Sequence, residues 1–305
     1  MLAAAREALV HHGVLGPSEE LPPFFAKFGG NLVLGMLVYP NSGEFYVVKV
    51  AVQSGLDREY RGLSAAYAAM PRNASRPLGL THHRSFPVLV SSGIRHKPLI
   101  PLHGRGSVQS FESGIKAFLA TSVRAFRTLP GEGASSGLSE ALEHASTLTP
   151  WPDWHAYLER IAPEVAILPR IPQHGDLSVN NIGVAGGQLI FFDWEDFGFV
   201  DLPGFDLAVL LLSLNDFDVR RLVVRLRTPS LERRLMQNGC VSLGMTTDLL
   251  LLLFPAYLSL FAQMKDMLGY GPEVARRAIA ALTRWLSTEH APDSRSAQRS
   301  AFAAH

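Results

Sequence analysis

Four polar residues lie close together between two apolar runs in the second half of the chain. His174 and Asp176 belong to the segment "PQHGDLSVNN", Asn181 ends it, and Asp193 follows in "LIFFDWED". Phosphoryl transfer needs a carboxylate that accepts the proton of an attacking hydroxyl, together with oxygen ligands for Mg²⁺. Because Mg²⁺ retains several waters, one Asn and one Asp are sufficient ligands beside the phosphates of a nucleotide. The four residues therefore predict a phosphoryl-transfer site.

A predicted hairpin accounts for how these residues would come together. The segments "NIGV" and "QLIFF" are two short apolar runs on either side of the Gly186–Gly187 turn. Such a hairpin places Asn181 and Asp193 on adjacent segments, near enough to share a metal ion. The loop before Asn181 can hold Asp176 apart from that ion, where it would face the second substrate.

The two segments resemble the catalytic and metal-binding loops of the aminoglycoside phosphotransferase and choline kinase families, which are small-molecule kinases with a protein-kinase-like fold. "HGDLSVNN" is similar to their catalytic loop, and "FFDWEDFGFVDLPGFDLA" is similar to their metal-binding segment and the helix after it. The resemblance implies that Asp176 is the catalytic base and that Asn181 and Asp193 are metal ligands. It further implies that His174 orders the loop and that Asp206 braces the loop from the following helix.

A kinase also needs a lysine for the nucleotide phosphates, on the third strand of its N-terminal lobe and paired with a glutamate on the next helix. Lys49 lies in "YVVKVAV", the third predicted strand, and Glu59 lies ten residues later in the predicted helix "DREYRGL". The order and the element types agree with the resemblance, so we predict this pair. A plain edge-strand lysine and a solvated helix glutamate are the alternatives.

The remaining nucleotide contacts are predicted less directly. No G-x-G-x-x-G precedes Lys49, so the turn "FGGN" is the best phosphate-binding loop, with the backbone N–H groups of Gly30 and Asn31 facing phosphate. An ordinary hairpin turn is the alternative at this position. The resemblance implies that backbone groups between Ile100 and Leu102, at the junction of the two lobes, bind the adenine edge.

Two departures from the protein kinases favour a small-molecule acceptor. Gly175 stands where a protein kinase has the arginine of H-R-D, and Trp194 and Glu195 follow Asp193 in place of Phe-Gly. No A-P-E-like segment comes after them. The activation-loop switch of protein kinases is therefore expected to be absent.

The pattern along the rest of the chain predicts an α+β, two-lobed, protein-kinase-like fold. A short helix over residues 1–15 precedes three strands in "FFAKF", "NLVLGMLVY" and "EFYVVKVAV". A helix over 57–70 and two more strands, "FPVLVSSG" and "KPLIPLHG", complete an antiparallel sheet of about five strands; "THH", with His82 and His83, is expected to be a loop. The predicted parts are a nucleotide-binding lobe (1–103), a mostly helical catalytic and acceptor-binding lobe (104–288) and a flexible tail (289–305).

Composition limits the cellular setting. A net charge of +1 over 305 residues gives no general case for nucleic-acid binding. Cys240 is the single cysteine, so no intramolecular disulfide can form, and a reducing cytoplasm is the expected location. The apolar run "LLLLLFPAYLSLFAQM" is shorter than a bilayer span, contains Pro255 and is bounded by charged residues. We expect a buried helix that is kinked or begins near Pro255; a membrane-associating segment is the alternative, and membrane binding is not expected.

The sequence thus predicts an ATP-dependent phosphotransferase, with GTP as an alternative donor, that uses Mg²⁺ to phosphorylate a hydroxyl of an aminoglycoside-, amino-alcohol- or sugar-like molecule. Two other hypotheses remain: a nucleotide-binding pseudokinase that acts as a scaffold or sensor, and a metal-dependent hydrolase with His174, Asp176 and Asp193 as ligands. The sequence gives no indication of oligomeric state.

The charge of the acceptor is left open by the sequence. Four aspartates of the helical half could line a site for a polycation; they are Asp196, Asp201, Asp216 and Asp218. An arginine-rich stretch over 220–234 favours an anionic or lipid-linked acceptor, or is a solvated helix face.

Overall fold

A computed structural model of the protein describes residues 1–28, 33–39, 44–52, 56–99, 104–129, 153–267 and 272–287. Its strands are β1 (Phe24–Phe28), β2 (Val33–Val38), β3 (Tyr46–Ala51), β4 (Pro77–His83), β5 (Phe86–Ser92), β6 (Lys97–Pro98), β7 (Ile182–Ala185) and β8 (Gln188–Phe191). Its α-helices are α1 (Leu2–His11), α2 (Leu56–Ala69), α3 (Gly104–Phe126), α4 (Trp154–Ile167), α5 (Phe205–Ser213), α6 (Val219–Arg227), α7 (Leu231–Leu243), α8 (Thr247–Met267) and α9 (Pro272–Ser287). The predicted α+β fold, an antiparallel N-terminal sheet followed by a mostly helical region, is confirmed.

The N-terminal sheet has the strand order β1-β2-β3-β5-β4, and every neighbouring pair is antiparallel. Successive side chains of a strand point to opposite faces, so β3 presents Val48 and Val50 to one face and Lys49 to the other. The two valines are fully buried in a cluster with the small apolar side of α1, including Ala5 and Leu9. Packing of α1 thereby fixes the face of β3 from which Lys49 projects.

The number of strands in this sheet agrees with the prediction, but their identity does not. His82 and His83 belong to β4 and not to a loop. In the described part of the segment "KPLIPLHG", Lys97–Pro98 form β6, which pairs with β7 in a second sheet of order β6-β7-β8. β4 pairs with β5 alone and lies at the edge of its sheet, where half-exposed polar side chains are tolerated. That edge position explains why its sequence lacks a clear apolar pattern.

The predicted hairpin is present as β7 and β8. Ile182 pairs with Phe191, and beyond this pair the Phe192 N–H donates to the Asn181 carbonyl at 3.1 Å. Asn181 itself ends a short 3₁₀ helix, Val179–Asn181. The backbone pairing thus continues up to Asn181 and brings it beside the residue that precedes Asp193.

The helical region is built around two strongly apolar helices. Every residue of α5 is buried, including Asp206, which lies in its first turn. The segment Thr247–Lys265 of α8 is long and apolar enough to cross a membrane, but 72% of that window is buried inside the protein. It is therefore a core helix, as predicted, although it runs through Pro255 instead of beginning there.

The arginine-rich stretch is divided between α6 and α7. Three of its arginines, each about half exposed, approach carboxylates: Arg221 contacts Asp216, Arg225 lies 3.9 Å from Glu232, and Arg234 contacts Glu112. These partly exposed ion pairs favour the interpretation of a solvated helix face.

Candidate active site

Lys49 is the centre of a charged cluster that joins the N-terminal sheet, α2 and the segment after β8. Its Nζ lies 2.8 Å from Glu59 Oε1 and 2.9 Å from Asp193 Oδ1. Glu59 is one turn before Gly62 on α2, where a side chain would collide with Phe197. This close approach holds α2 against the segment that follows Asp193. The structure therefore brings together the predicted Lys49–Glu59 pair and one predicted metal ligand.

The cluster keeps Lys49 protonated. Burial by itself lowers the pKa of Lys49, but the carboxylates of Glu59 and Asp193 outweigh burial and raise it above its ordinary value. Burial likewise raises the pKa of Asp193 by itself, whereas the Lys49 ammonium lowers it, and the net shift is downward. An ammonium beside an ionised carboxylate is the charge state that phosphate binding and metal binding require.

Asp193 has an unusual backbone conformation. Its φ of 66° lies in the left-handed region, which Asp tolerates better than most residues with a side chain. The turn it makes directs the chain away from β8 immediately after the hairpin. Residues held in such sparsely populated conformations occur frequently at functional sites.

The catalytic-loop segment is held by Asp206. Asp206 Oδ2 accepts the His174 N–H at 2.8 Å, and Oδ1 accepts the Gly175 N–H at 3.0 Å. Burial raises the pKa of Asp206 to about 7, and the two N–H donors oppose that rise. The first turn of α5 thus fixes the backbone directly before Asp176, in keeping with the bracing role that the resemblance implies.

His174 orders the same loop through both nitrogens of its ring. Nε2 lies 3.1 Å from the Phe192 carbonyl and Nδ1 lies 3.3 Å from the Asp176 N–H. This assignment makes Nε2–H the donor and Nδ1 the acceptor, which defines a neutral imidazole. With both nitrogens engaged, His174 has none left to bind a metal, and the geometry disfavours the hydrolase hypothesis.

The neutral state of His174 has a consequence for stability in acid. Burial lowers the pKa of His174 from 6.5 to about 4. The unfolded chain then binds this proton more readily than the folded one, so stability falls as the pH drops from 6.5 towards 4. Between pH 7 and pH 4, we expect the free energy of unfolding to fall by about 3 kcal/mol more in the native protein than in the His174→Gln variant. Urea unfolding of both proteins at each pH measures this difference, and equal losses would contradict a buried neutral His174.

Gly175 is required by the close packing of this loop. Its φ is +90°, and a Cβ there would collide with the carbonyl oxygen of Asp196. Neither feature is compatible with an arginine. The glycine at position 175, in place of the arginine of H-R-D, is therefore explained by the segment around Asp196, which occupies the space beside it.

Asn181 and Asp193 fit a hard divalent cation. Asn181 donates its side-chain N–H to the Asp176 carbonyl at 2.9 Å, which leaves its Oδ1 as a ligand. Asp193 uses Oδ1 for Lys49, which leaves Oδ2. An amide oxygen and a carboxylate oxygen on adjacent segments suit Mg²⁺, which completes its shell with water and phosphate oxygens. No cluster of three or more His, Cys, Asp or Glu side chains occurs within the described residues, so an all-protein metal cage is not formed there.

Asp176 makes a contact that the sequence did not predict. Its Oδ2 accepts a hydrogen bond from Lys265 Nζ at 3.0 Å, and the same ammonium donates to Asp196 Oδ2 at 2.6 Å. Lys265 comes from α8, 89 residues beyond Asp176. In the sequence it is only the charged boundary of an apolar run, and no local spacing connects it with the loop.

A cavity of about 740 Å³ opens beside the Lys49 cluster. Its lining combines apolar and aromatic side chains with the charged side chains of Lys49, Glu59 and Asp193. Tyr39 and Phe45 form a stacked pair in its wall, with ring centroids 5.5 Å apart. This size and this mixture of apolar walls with a few charged groups are typical of small-ligand sites.

Four predicted nucleotide-binding residues lie outside the described residues: Gly30, Asn31, Ile100 and Leu102. Their roles remain predictions, as do the proposed lobe boundaries.

The α+β fold and the cluster of Lys49, Glu59 and Asp193 agree with the kinase-like fold that the sequence predicts. Residues 115–236 match the family model described as "Phosphotransferase enzyme family". The matched part includes the catalytic-loop segment and α5, and the match bears out the resemblance to phosphotransferases that the sequence predicts. None of the curated proteins compared with the chain matches it.

Solved structures with the same fold include small-molecule kinases. Plasmodium vivax ethanolamine kinase superimposes with a TM-score of 0.60 at 12% identity, covering 93% of this chain and 87% of its own. A thermostable mutant of aminoglycoside phosphotransferase APH(4)-Ia, in complex with ADP and hygromycin B, superimposes with a TM-score of 0.59 at 12% identity. The match covers 93% of this chain and 99% of that one. Macrolide 2'-phosphotransferase MphH from Brachybacterium faecium superimposes with a TM-score of 0.57 at 14% identity. The match covers 90% of this chain and 96% of that one. At these identities the likeness shows the fold.

Proposed function

We propose that the protein transfers the γ-phosphoryl group of ATP to a hydroxyl of a small molecule. One observation carries the proposal: Lys49 joins Glu59 and Asp193 in the lining of a cavity of about 740 Å³. That arrangement is the phosphate-binding end of a kinase nucleotide site. The fold supports the proposal, because structures that share it include one with ADP and hygromycin B bound.

In this proposal the nucleotide occupies the cavity. The adenine lies among its apolar and aromatic lining, which includes Leu37, Val47 and Ile190, and Lys49 binds the phosphates. Asn181 and Asp193 would hold Mg²⁺, which would neutralise charge on the phosphate oxygens. GTP is an alternative donor, because the segment expected to bind the base edge, Ile100 to Leu102, lies outside the described residues.

Asp176 accepts the proton of the acceptor hydroxyl. As the hydroxyl oxygen bonds to the γ-phosphorus, the bond from phosphorus to the β–γ bridging oxygen breaks and its electrons leave with ADP. The carboxylate is 24% exposed, so a bound acceptor can reach it. A positioned general base of this kind contributes roughly 10²- to 10⁴-fold to a rate.

The four aspartates that could serve a polycation site are not free carboxylates. Each of the four aspartates considered from the sequence has an intramolecular partner. Asp196 pairs with Lys265, Asp201 with Arg170, and Asp216 with Arg221, while Asp218 accepts the N–H groups of Arg220 and Arg221 as the N-cap of α6. These pairings support neutral or singly charged hydroxyl acceptors over polycationic aminoglycosides.

A screen of ATP consumption tests the proposed function. The purified protein, with Mg²⁺ and ATP, is offered amino alcohols, sugars, macrolides and aminoglycosides, and the product of each positive reaction is identified by mass spectrometry. We expect a phosphorylated acceptor and stoichiometric ADP. ATP binding without any phosphorylated product across the panel would instead support the pseudokinase hypothesis.

A further inference from the structure

The environment of Lys265 is unusual for a lysine in the core. Its side chain is 4% exposed, and its ammonium lies between two carboxylates, Asp176 Oδ2 at 3.0 Å and Asp196 Oδ2 at 2.6 Å. Burial by itself lowers the pKa of Lys265, but Asp176 and Asp196 outweigh burial and raise it. Lys265 is therefore a cation fixed between the predicted base and a second, fully buried carboxylate.

The buried carboxylate of Asp196 is not explained by a contribution to folding stability. It is 1% exposed, and its Oδ1 has no hydrogen-bond partner among the described residues, so only Oδ2 is compensated, by Lys265. Replacing a buried ion pair by apolar residues is often neutral or stabilising. A role in placing the Lys265 ammonium accounts for such a costly carboxylate better than a contribution to folding does.

Among the polar atoms of Asp176, the carboxylate oxygen Oδ1 is the one without a hydrogen bond from the described residues. Its N–H donates to His174, its carbonyl accepts from Asn181, and its Oδ2 accepts from Lys265. Oδ1 accepts no hydrogen bond from the described part of the chain, and the side chain is partly open to solvent. The backbone and one carboxylate oxygen are thus fixed, while the other oxygen is held by no hydrogen bond from the described residues.

We propose that Lys265, anchored by Asp196, is a positioning residue that ties Oδ2 of Asp176 and thereby presents Oδ1 to the acceptor hydroxyl. The inference rests on the proposed function. During transfer the acceptor O–H bond breaks, its proton passes to Oδ1, and the hydroxyl oxygen bonds to the γ-phosphorus as ADP leaves. Lys265 keeps its own protons throughout and does not touch the reacting atoms.

Variants at Lys265 and Asp196 test this role. Lys265→Met frees the Asp176 carboxylate to rotate, and misplacing a reacting group by about 1 Å can cost roughly 100-fold in rate. We expect kcat to fall by about that factor while KM for ATP changes less than about twofold, because the nucleotide cavity is untouched. Lys265→Arg keeps the cation and should recover part of the loss. Lys116→Met, an exposed lysine on α3, is the matched control and should leave both constants unchanged.

The double variant Lys265→Met/Asp196→Asn separates positioning from folding. It removes both buried charges, so it avoids the unpaired Asp196 carboxylate that would destabilise the single variant. A positioning role predicts that kcat stays low although thermal stability returns. Recovery of wild-type kcat in the double variant would overturn the proposal.

Crystal structures with Mg-ADP keep this test separate from the proposed function. If the wild-type protein phosphorylates nothing in the acceptor panel, the proposed function fails, yet the orientation of Asp176 can still be compared. A carboxylate that turns away in the double variant supports the positioning role of Lys265. One that keeps its orientation without Lys265 overturns it.

Discussion

Asp176→Asn is expected to lower kcat by at least about a thousandfold, which lies within the range of general-base catalysis. Asn is nearly isosteric and its amide oxygen can still accept the Lys265 hydrogen bond, so the loop should keep its conformation. What it loses is the capacity to take up a proton. Steady-state kinetics with the acceptor found in the screen measures kcat.

Nucleotide binding is the internal control for this variant. Asp176 does not line the 740 Å³ cavity, so we expect the affinity for Mg-nucleotide, measured by calorimetry, to change less than about twofold. Asp248→Asn, an exposed aspartate in the first turn of α8, should leave kcat and affinity unchanged. Near-normal turnover of Asp176→Asn would show that another group accepts the proton.

The parts of the site that could be predicted from sequence are those in which local spacing fixes geometry. The distance from Asp176 to Asn181 spans one loop, and the hairpin that follows brings Asn181 beside Asp193 through backbone pairing. Lys49 could be found because a kinase lobe carries such a lysine on its third strand and a paired glutamate on the next helix, and both elements could be predicted from the sequence. In each case the elements are adjacent in the chain, so periodicity and turn residues carry the information.

The parts that could not be predicted depend on packing between distant segments. Lys265 reaches Asp176 only because the apolar helix α8 is buried against the loop, and a lysine at the end of an apolar run has no distinguishing pattern. β4 was missed because an edge strand needs no alternation of apolar residues. The need for a glycine at position 175 could not be predicted either. A side chain there would collide with the backbone of Asp196, which belongs to a different segment.

Asp193→Ala is expected to abolish the dependence of nucleotide binding on Mg²⁺. Changes to residues that merely support metal ligands typically cost about 10- to 100-fold in metal affinity, so loss of a ligand should cost at least as much. The fold should survive the substitution, because Lys49 keeps its 2.8 Å contact with Glu59 and is not left as an isolated buried charge. Titration of ATP with and without Mg²⁺ measures the effect.

The comparison between the two titrations distinguishes the two functions of Asp193. Asp193 contacts Lys49 at 2.9 Å, so its removal also changes the position and charge balance of the phosphate-binding ammonium. A change of that kind would alter ATP affinity equally in Mg²⁺ and in EDTA. Loss of a metal ligand weakens binding in Mg²⁺ alone, because ATP in EDTA brings no cation for Asp193 to hold. If Asp193→Ala retained the native enhancement of ATP binding by Mg²⁺, Asp193 would be a partner of Lys49 only, and the metal would have to be held by other groups beside Asn181.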